Sequence, residues 1–586
     1  MEADRDGPVL AGEEMLERLR KGRDDALAAV VGSHSPRRLI AAGPGTGKTF
    51  TFRKALEAAG GQGLALTFIR NLVEDLESGL GDTARVFTFH AYCKHLMHQH
   101  DVAGLREGDY YPPLMTIVVE DLHVLGAAHV SARDIDLHLH DLDTASGLVD
   151  DALADADYYN AVAHTDLVYR VLRHFQGASE SIPSYPLIVV DEYQDFSLLE
   201  TTFITLLASK SSVLIAGDDD QALYTTLKHA SPAFIRALAQ DSTYETLELP
   251  YCSRCTSVIV EAVNAVISKA TAPMRGNLTG RLTKSFECYL PDKAADSAAN
   301  PKIIHARCST ANTPYAGTYI AQQIARIPAV DIAAPREKGY PTALVIGPNP
   351  FLKKAFEVVC ARFPRARLKT SIQPEVDLLD GYLRILKDTD SRLGWRIVVA
   401  CCPFDGDRAA VKSALSAGLE LVEQLPYEYV LEHRELAGLV GRLLDVLPLT
   451  FDEEARLTAA VGRPLEDIKG AIFADGLVED AEAEPSDLVA QGPEVVFTSL
   501  VGSKGMSAEH VFVVGLSDGH FPRDRRAITD DEICSLLVAL SRTRVRCHLI
   551  SFGFFANSTL RRSVFLEWLA AQLELVVVDK HYDFAE

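Results

Sequence analysis

The chain has 586 residues, of which 47% are hydrophobic and 24% charged, which excludes a disordered or membrane-embedded class and leaves room for three or four globular domains. A net charge of −23 from 81 acidic and 58 basic residues excludes a chain-wide attraction to nucleic acid and permits only a local basic channel. No run approaches the roughly 18 apolar residues of a membrane span, and the start Met1-Glu2-Ala3-Asp4-Arg5 lacks the apolar core of a secretory leader, so a cytoplasmic setting is expected.

The first informative stretch is Leu39-Ile40-Ala41-Ala42 followed by Gly43-Pro44-Gly45-Thr46-Gly47-Lys48-Thr49 and the helix-forming segment Phe52 to Ala59. Strand, glycine-rich loop and helix in that order are what a phosphate-binding loop needs. Small residues let backbone N–H groups turn toward the phosphates, and the helix N-terminus adds partial positive charge. Ala42 to Thr49 are therefore nucleotide-binding candidates. Lys48 reaches the β- and γ-phosphates, and the Thr49 hydroxyl is a candidate Mg²⁺ ligand. Ala42 stands where the usual pattern has glycine.

Residues 64–68 read as a second short strand, followed by a helical stretch from Asn71 to Leu80, and residues 85–92 as a strand running into a helix. Residues 95–163 lose the strand pattern and read as a mainly helical insertion. Within it, residues 134–163 carry eight Asp and no Lys or Arg; residues 470–503 also lack any basic residue. Both are solvated faces or docking surfaces, and neither suits a DNA backbone. Pro186 to Val190 form a buried parallel strand ending in Asp191 and Glu192. An Asp there serves Mg²⁺, and the Glu can polarise the attacking water. The next apolar strand, Ser212 to Gly217, closes on Asp218-Asp219-Asp220-Gln221, where Gln221 is placed to sense a γ-phosphate. Ten cysteines are scattered without a disulfide framework, which fits a reducing compartment. Cys252 and Cys255 form a lone CxxC without a second pair at zinc spacing.

The ordered set AAGPGTGKT (41–49), TFH (88–90), VVDEYQD (189–195) and AGDDDQALY (216–224) resembles superfamily-one helicases of the UvrD/Rep type. Further stretches match in the same order. LPYCSRCTSVIV (249–260) resembles the fourth motif, TSLVGSKGMSAEHVFVVGL (498–516) the fifth and LLVALSRTR (536–544) the sixth, while residues 378–397 resemble the segment before a second insertion. The resemblance implies an α/β fold of two RecA-like P-loop domains with parallel sheets, each carrying a mainly helical insertion. The first domain is expected at 1–92 and 164–250 with its insertion at 93–163. The second is expected at 251–399 and 490–586, with a compact insertion at 400–489.

It further implies ATP and Mg²⁺ as cofactors, held by the loop, Thr49 and Asp191. Glu192, Gln221, Arg254 and Arg542 are then the catalytic set, and Tyr251, Lys504 and Gly505 join the nucleotide contacts. Thr67, Asn71, Thr88, Phe89, His90 and Tyr224 are expected to face single-stranded or tailed duplex DNA; the rings of Phe89 and Tyr224 could serve a base or the core. The implied activity is ATP-driven translocation or unwinding, 3′-to-5′, in repair, recombination or phage defence. The second reading is an ATP-gated, DNA-sensing subunit of a partner nuclease. Four departures concern base and DNA recognition: residues 1–40 contain no Gln, Ser253 rather than Tyr precedes Arg254, Met506-Ser507 replaces Leu-Glu, and Thr226 replaces an aromatic.

Overall fold

Uninterrupted apolar runs have no polar face to offer water, so they form parallel strands covered on both sides. The computed structural model describes residues 7–67, 73, 80, 83–102, 109–127, 129–145, 147–369, 375–475 and 492–584. The chain divides into two compact units. One comprises Met1–Phe89, Ile182–Ser371 and Gln491–Glu586; the other comprises His90–Ser181 and Ile372–Ala490.

The first unit contains two sheets. Helix α1 (Gly7–Gly32) precedes β1 (Arg37–Ala42), and α2 (Lys48–Ala59) follows it. Strands β2 (Gly63–Thr67), β3 (Ala84–Thr88), β4 (Ile188–Val190), β5 (Val213–Gly217) and β6 (Glu245–Leu249) complete a six-stranded sheet. Its order is β3-β2-β4-β5-β1-β6, with every neighbouring pair parallel. Ile40, Phe52, Leu56, Val189 and Leu214 share one apolar cluster, each worth about 1.5–3 kcal/mol when fully buried. That order sets β1 beside β5 and β5 beside β4. The phosphate loop, Asp191 and Asp218 therefore leave one carboxyl edge of the sheet, where open α/β sheets bind ligands.

Two short strands, β7 (Tyr251–Cys252) and β8 (Glu287–Cys288), pair in parallel on either side of α3 (Ser257–Ala270). The second sheet comprises β9 (Ile303–Cys308), β10 (Ala343–Ile346), β11 (Arg367–Lys369), β12 (Val495–Thr498), β13 (Ala508–Val514), β14 (Thr543–Phe552) and β15 (Leu573–Val578). It runs β11-β12-β10-β13-β14-β9-β15, all parallel. Leu344 and Val511 enter the cluster that also holds Leu536 of α4 (Asp530–Ser541), whereas Val345 and Phe512 enter the opposite one. Successive residues of a strand point to opposite faces, so one apolar run supplies both cores.

The second unit is mainly helical. Its core joins Leu379, Tyr382, Trp395, Val440 and Leu443. It takes in helices His164–Gly177, Leu378–Lys387 and Arg392–Cys401, which the sequence reading places in the α/β domains. The reason lies in their apolar faces: Tyr382 and Trp395 complete a helix-on-helix core rather than cover a sheet. The two insertions hold one another through Arg396, which bonds Asp121 at 2.8 Å and Glu120 at 2.8 Å, while Tyr159 Oη donates to Asp121 at 2.5 Å. Removing one member of such a buried pair leaves an uncompensated charge. The acidic stretch 134–163 is not uniformly solvated, since burial pushes Asp155 up to about 7. Residues 476–491 of the other stretch lie outside the described residues. No described helix is long and apolar enough to cross a membrane.

Candidate nucleotide site

Gly45 and Gly47 have φ of +69° and +87°, a left-handed backbone that glycine adopts without steric penalty. Gly45 is required for a second reason: a β-carbon there would sit 2.4 Å from Cβ of Arg254. Gly47 is the N-cap of α2, and no side chain caps that helix. The first-turn amides of α2 are thus left to a ligand, and the partial charge favours an anion. The Thr46 hydroxyl donates to the Gly43 carbonyl at 3.0 Å and closes the loop on itself. Ala42 and Pro44 are buried beneath it, and a β-carbon at Gly43 would meet the Phe286 ring at 2.6 Å.

Lys48 Nζ lies 3.5 Å from Glu192, and Lys504 Nζ lies 3.4 Å from the other oxygen of the same carboxylate. Burial alone would raise Glu192, but Lys48 and Lys504 outweigh it and hold the carboxyl well below the usual range. Asp191 is pushed up to about 6 by its burial, against the pull of Lys48. Burial would lower Lys48, yet Glu192, Asp191 and Asp218 hold it above its ordinary value. The Glu192 backbone is left-handed, φ 55° and ψ 39°. Its carboxylate is anchored by Gln194, whose Nε2 donates at 2.6 Å, and its amide donates to Asp191 at 2.9 Å. Thr49 and Asp191 supply the hard oxygen donors that Mg²⁺ prefers. Uncapped amides, a lysine and two oxygen donors at one sheet edge fit a magnesium–nucleotide.

Gln221 links this edge to the second sheet's domain. Its Nε2 donates to Asp218 at 2.6 Å, and its Oε1 accepts from Arg542 Nη2 at 2.9 Å. Arg542 also donates to the Met506 carbonyl at 3.2 Å. Burial and the charge of Arg254 bring Arg542 down to about 10. Gly505 precedes Met506 at φ 79°. Lys504 donates to the Gln221 carbonyl at 2.6 Å and pairs with Asp195. It therefore stands at the carboxylates that the sequence reading gave to hydrolysis. Tyr251 is half-buried, its hydroxyl against α1: a β-carbon at Gly22 would lie 2.2 Å from it.

Asp218, Asp219 and Asp220 bring three carboxylates within 4.8 Å of one another, as a metal centre would. Their charge is instead met by Lys284, 2.8, 2.7 and 2.8 Å from the three in turn, with Arg281 at 2.7 Å from Asp220 and Arg236 at 2.9 Å from Asp219. Lys284 and Asp195 escaped the sequence reading. A signal existed in the basic pair Arg281 and Lys284 of RLTKSF (281–286), but nothing in the sequence alone ties it to three acids far upstream.

Of the expected DNA contacts, Thr67 and Thr88 are register partners at the carboxyl ends of β2 and β3. Thr67 is buried and Thr88 half-buried. Phe89 has no exposed surface; its ring packs at 5.4 Å from Phe196 and 5.8 Å from Phe203, so here it is a core residue rather than a base platform. Tyr224 is half-buried, with Lys504 Nζ 5.9 Å from its ring centre. His90 belongs to the helical unit, its ring 5.2 Å from that of His164. Asn71 lies outside the described residues.

Comparison with known proteins adds a lineage to this geometry. Residues 26–227 match the family described as "AAA domain". DNA helicase II of Haemophilus influenzae is 30% identical over 127 residues, 21% of this chain and 17% of that protein. ATP-dependent DNA helicase PcrA of Leuconostoc citreum is 28% identical over 303 residues, 43% of this chain and 40% of that protein. DNA helicase II of Escherichia coli K12 is 37% identical over 100 residues, 17% and 13% of the two chains. In each case the match spans less than half of the relative's length.

Proposed function

The chain belongs to the UvrD-like superfamily-one helicases, and from that premise we propose that it is an ATP-hydrolysing motor that moves 3′-to-5′ on single-stranded DNA. The observation that carries the proposal is the hydrogen-bond chain Asp218–Gln221–Arg542, because it lets one side chain report the state of the phosphates to both sheets. Lys48 and the α2 amides bind and orient the β- and γ-phosphates. Thr49 and Asp191 hold Mg²⁺, which neutralises charge between the phosphates when bound. Glu192, kept ionised by its two lysines, accepts a proton from the attacking water. Arg254 and Arg542 meet the charge that develops on the transferred phosphoryl group with planar, permanently charged donor forks. When that charge leaves, Gln221 and Arg542 lose a shared partner, which is the event that a motor must convert into movement.

The test is ATPase activity with and without single-stranded DNA, together with strand displacement on 3′- and 5′-tailed duplexes. Stimulation that weakens as salt rises is expected, since phosphate contacts release counterions. Displacement is expected from the 3′-tailed duplex only. Hydrolysis that ignores DNA would remove the motor reading; stimulated hydrolysis without strand separation would identify a DNA-gated switch instead.

A further inference from the structure

The pair Cys252 and Cys255 plays no part in the proposed chemistry, yet it is built into the site. Cys252 ends β7 and Cys255 stands immediately before Thr256, the N-cap of α3. Both are fully buried. On one side the pair meets the phosphate loop: a β-carbon at Gly45 would lie 3.3 Å from Cys252 Sγ, and the Ser253 amide donates to the Gly45 carbonyl at 3.0 Å. On the other side Cys255 Sγ faces the carbonyl oxygen of Ser541 at 3.6 Å, one residue before Arg542. Arg254 lies between the two cysteines in sequence, its Cβ packed on the same Gly45.

The two sulfurs are already in contact. The Cys255 amide donates to Cys252 Sγ at 3.4 Å. Hydrogen bonding from the Cys255 thiol, then from the Cys255 and Arg254 amides, brings Cys252 down to about 7, while Cys255 is held well above the ordinary thiol value. One thiol poised as thiolate, three residues from a second at the mouth of a helix, is the arrangement in which CxxC pairs cycle between dithiol and disulfide. Cys288, the register partner of Cys252, turns instead to the Cys255 carbonyl at 3.4 Å. Among the described residues no cysteine belongs to a metal-ligating group.

We propose that Cys252 and Cys255 are a peroxide-sensitive thiol pair whose disulfide disables the nucleotide site by shifting Arg254 relative to the phosphate loop. Cys252 gives up its proton, and its thiolate attacks one oxygen of hydrogen peroxide. The O–O bond breaks, the sulfur becomes a sulfenic acid, and hydroxide leaves to take up the released proton as water. The Cys255 sulfur then attacks the sulfenic sulfur; the S–S bond forms, the S–OH bond breaks, and the Cys255 proton leaves with that hydroxide as a second water. Peroxide accepts the two electrons that the thiols lose. The new bond draws the sulfurs from hydrogen-bond separation to about 2.05 Å. Cys255 is pulled away from Ser541, and the three-residue arc that carries Arg254 tightens. Displacements of about 1 Å at such a contact can lower turnover by about 100-fold.

The effect on turnover rests on the proposed ATPase reading; the bond itself does not. The full chain is treated with hydrogen peroxide, free thiols are blocked, and the peptides are mapped by mass spectrometry beside DNA-stimulated ATPase assays. The expected result is a Cys252–Cys255 disulfide, a fall in rate of about tenfold or more, and recovery with dithiothreitol. Cys252→Ser should keep its own untreated rate under peroxide, and Cys288→Ser should respond as the parent does. Absence of the disulfide, a disulfide with unchanged rate, or full inhibition of Cys252→Ser would each overturn the proposal. A reduced chain that hydrolyses no ATP overturns the ATPase reading instead. Binding of a fluorescent ATP analogue to reduced and oxidised chains then decides the switch: weaker binding on oxidation supports it, and equal binding overturns it.

Discussion

Arg542 donates to the side-chain oxygen of Gln221 at 2.9 Å, so a residue entering the second sheet at β14 is held by one leaving the first sheet after β5. The two share whatever charge arrives at the edge between them. Arg542→Ala and Arg254→Ala should each lower kcat on the order of 10³-fold or more while KM changes little, because a finger acts on transition-state charge. Arg542→Lys should recover only part of the loss, since a point charge cannot replace the planar fork. Steady-state ATPase kinetics with saturating single-stranded DNA decide this; normal kcat in both alanine variants removes the two-domain site.

Lys48 and Glu192 are neighbours with opposite assignments, and their variants should separate accordingly. Lys48→Ala should abolish nucleotide binding, because the phosphates lose their principal cation. Glu192→Gln should still bind ATP but hydrolyse it about 10²- to 10⁴-fold more slowly. Equilibrium binding of a fluorescent ATP analogue and single-turnover hydrolysis distinguish the two. A Glu192→Gln chain that turns over at the parent rate would show that another group polarises the water.

Lys284 is expected to matter for stability as well as turnover. It is the shared counter-ion of three buried carboxylates, and it anchors Asp218, which in turn orients Gln221. Lys284→Met should destabilise the fold by about 3–5 kcal/mol, the usual consequence of leaving buried charge unpaired. Lys284→Arg keeps the charge and should unfold nearer the parent in urea, with a lowered kcat that reports misplaced Gln221. Equal urea midpoints for Lys284→Met and the parent would show that the three acids need no counter-ion.

Nucleotide choice should be loose. Residues 1–40 contain no Gln, and the Tyr251 hydroxyl is packed on α1 at Gly22. Phe50, one residue past Thr49, keeps 42% of its surface exposed and offers a stack, which every base can use. Without a polar contact that rejects the wrong base, discrimination is small. GTP or dATP should support DNA-stimulated hydrolysis within about tenfold of ATP, a difference of ~1.4 kcal/mol. Competition assays measure it directly, and a strict preference for ATP would reveal a hydrogen-bonding readout elsewhere in the chain.

The phosphate end of the site was legible because its chemistry demands residue types at fixed spacing: Gly47-Lys48-Thr49 after a strand, Asp191-Glu192 at a strand end, Gln221 past the next. The parallel sheets were legible for the same reason, as apolar runs such as Leu187 to Val190 admit one explanation. Phe89 shows the limit. An aromatic after Thr88 looks the same whether it faces a base or, as here, Phe196 and Phe203. The extent of the helical unit was hidden likewise: periodicity shows that Tyr382 and Trp395 lie on apolar faces, but not which core they enter. Lys284 was hidden because its partners are distant in sequence and its meaning is three distances.

The order of the second sheet bears on how the chain is made. β10 is synthesised early, yet both its neighbours, β12 and β13, lie beyond the second insertion. On the ribosome this strand must wait with two unpaired edges until nearly the whole of that insertion has emerged. Long-range parallel pairing of this kind is slow, and its unpaired edges invite association. Chains halted before Val495 should therefore collect as aggregates, measurable as the pelleted fraction after translation. Slowing synthesis within the helices Tyr427–Leu444 to Leu465–Asp475 should lower the soluble yield more than the same delay placed after β13.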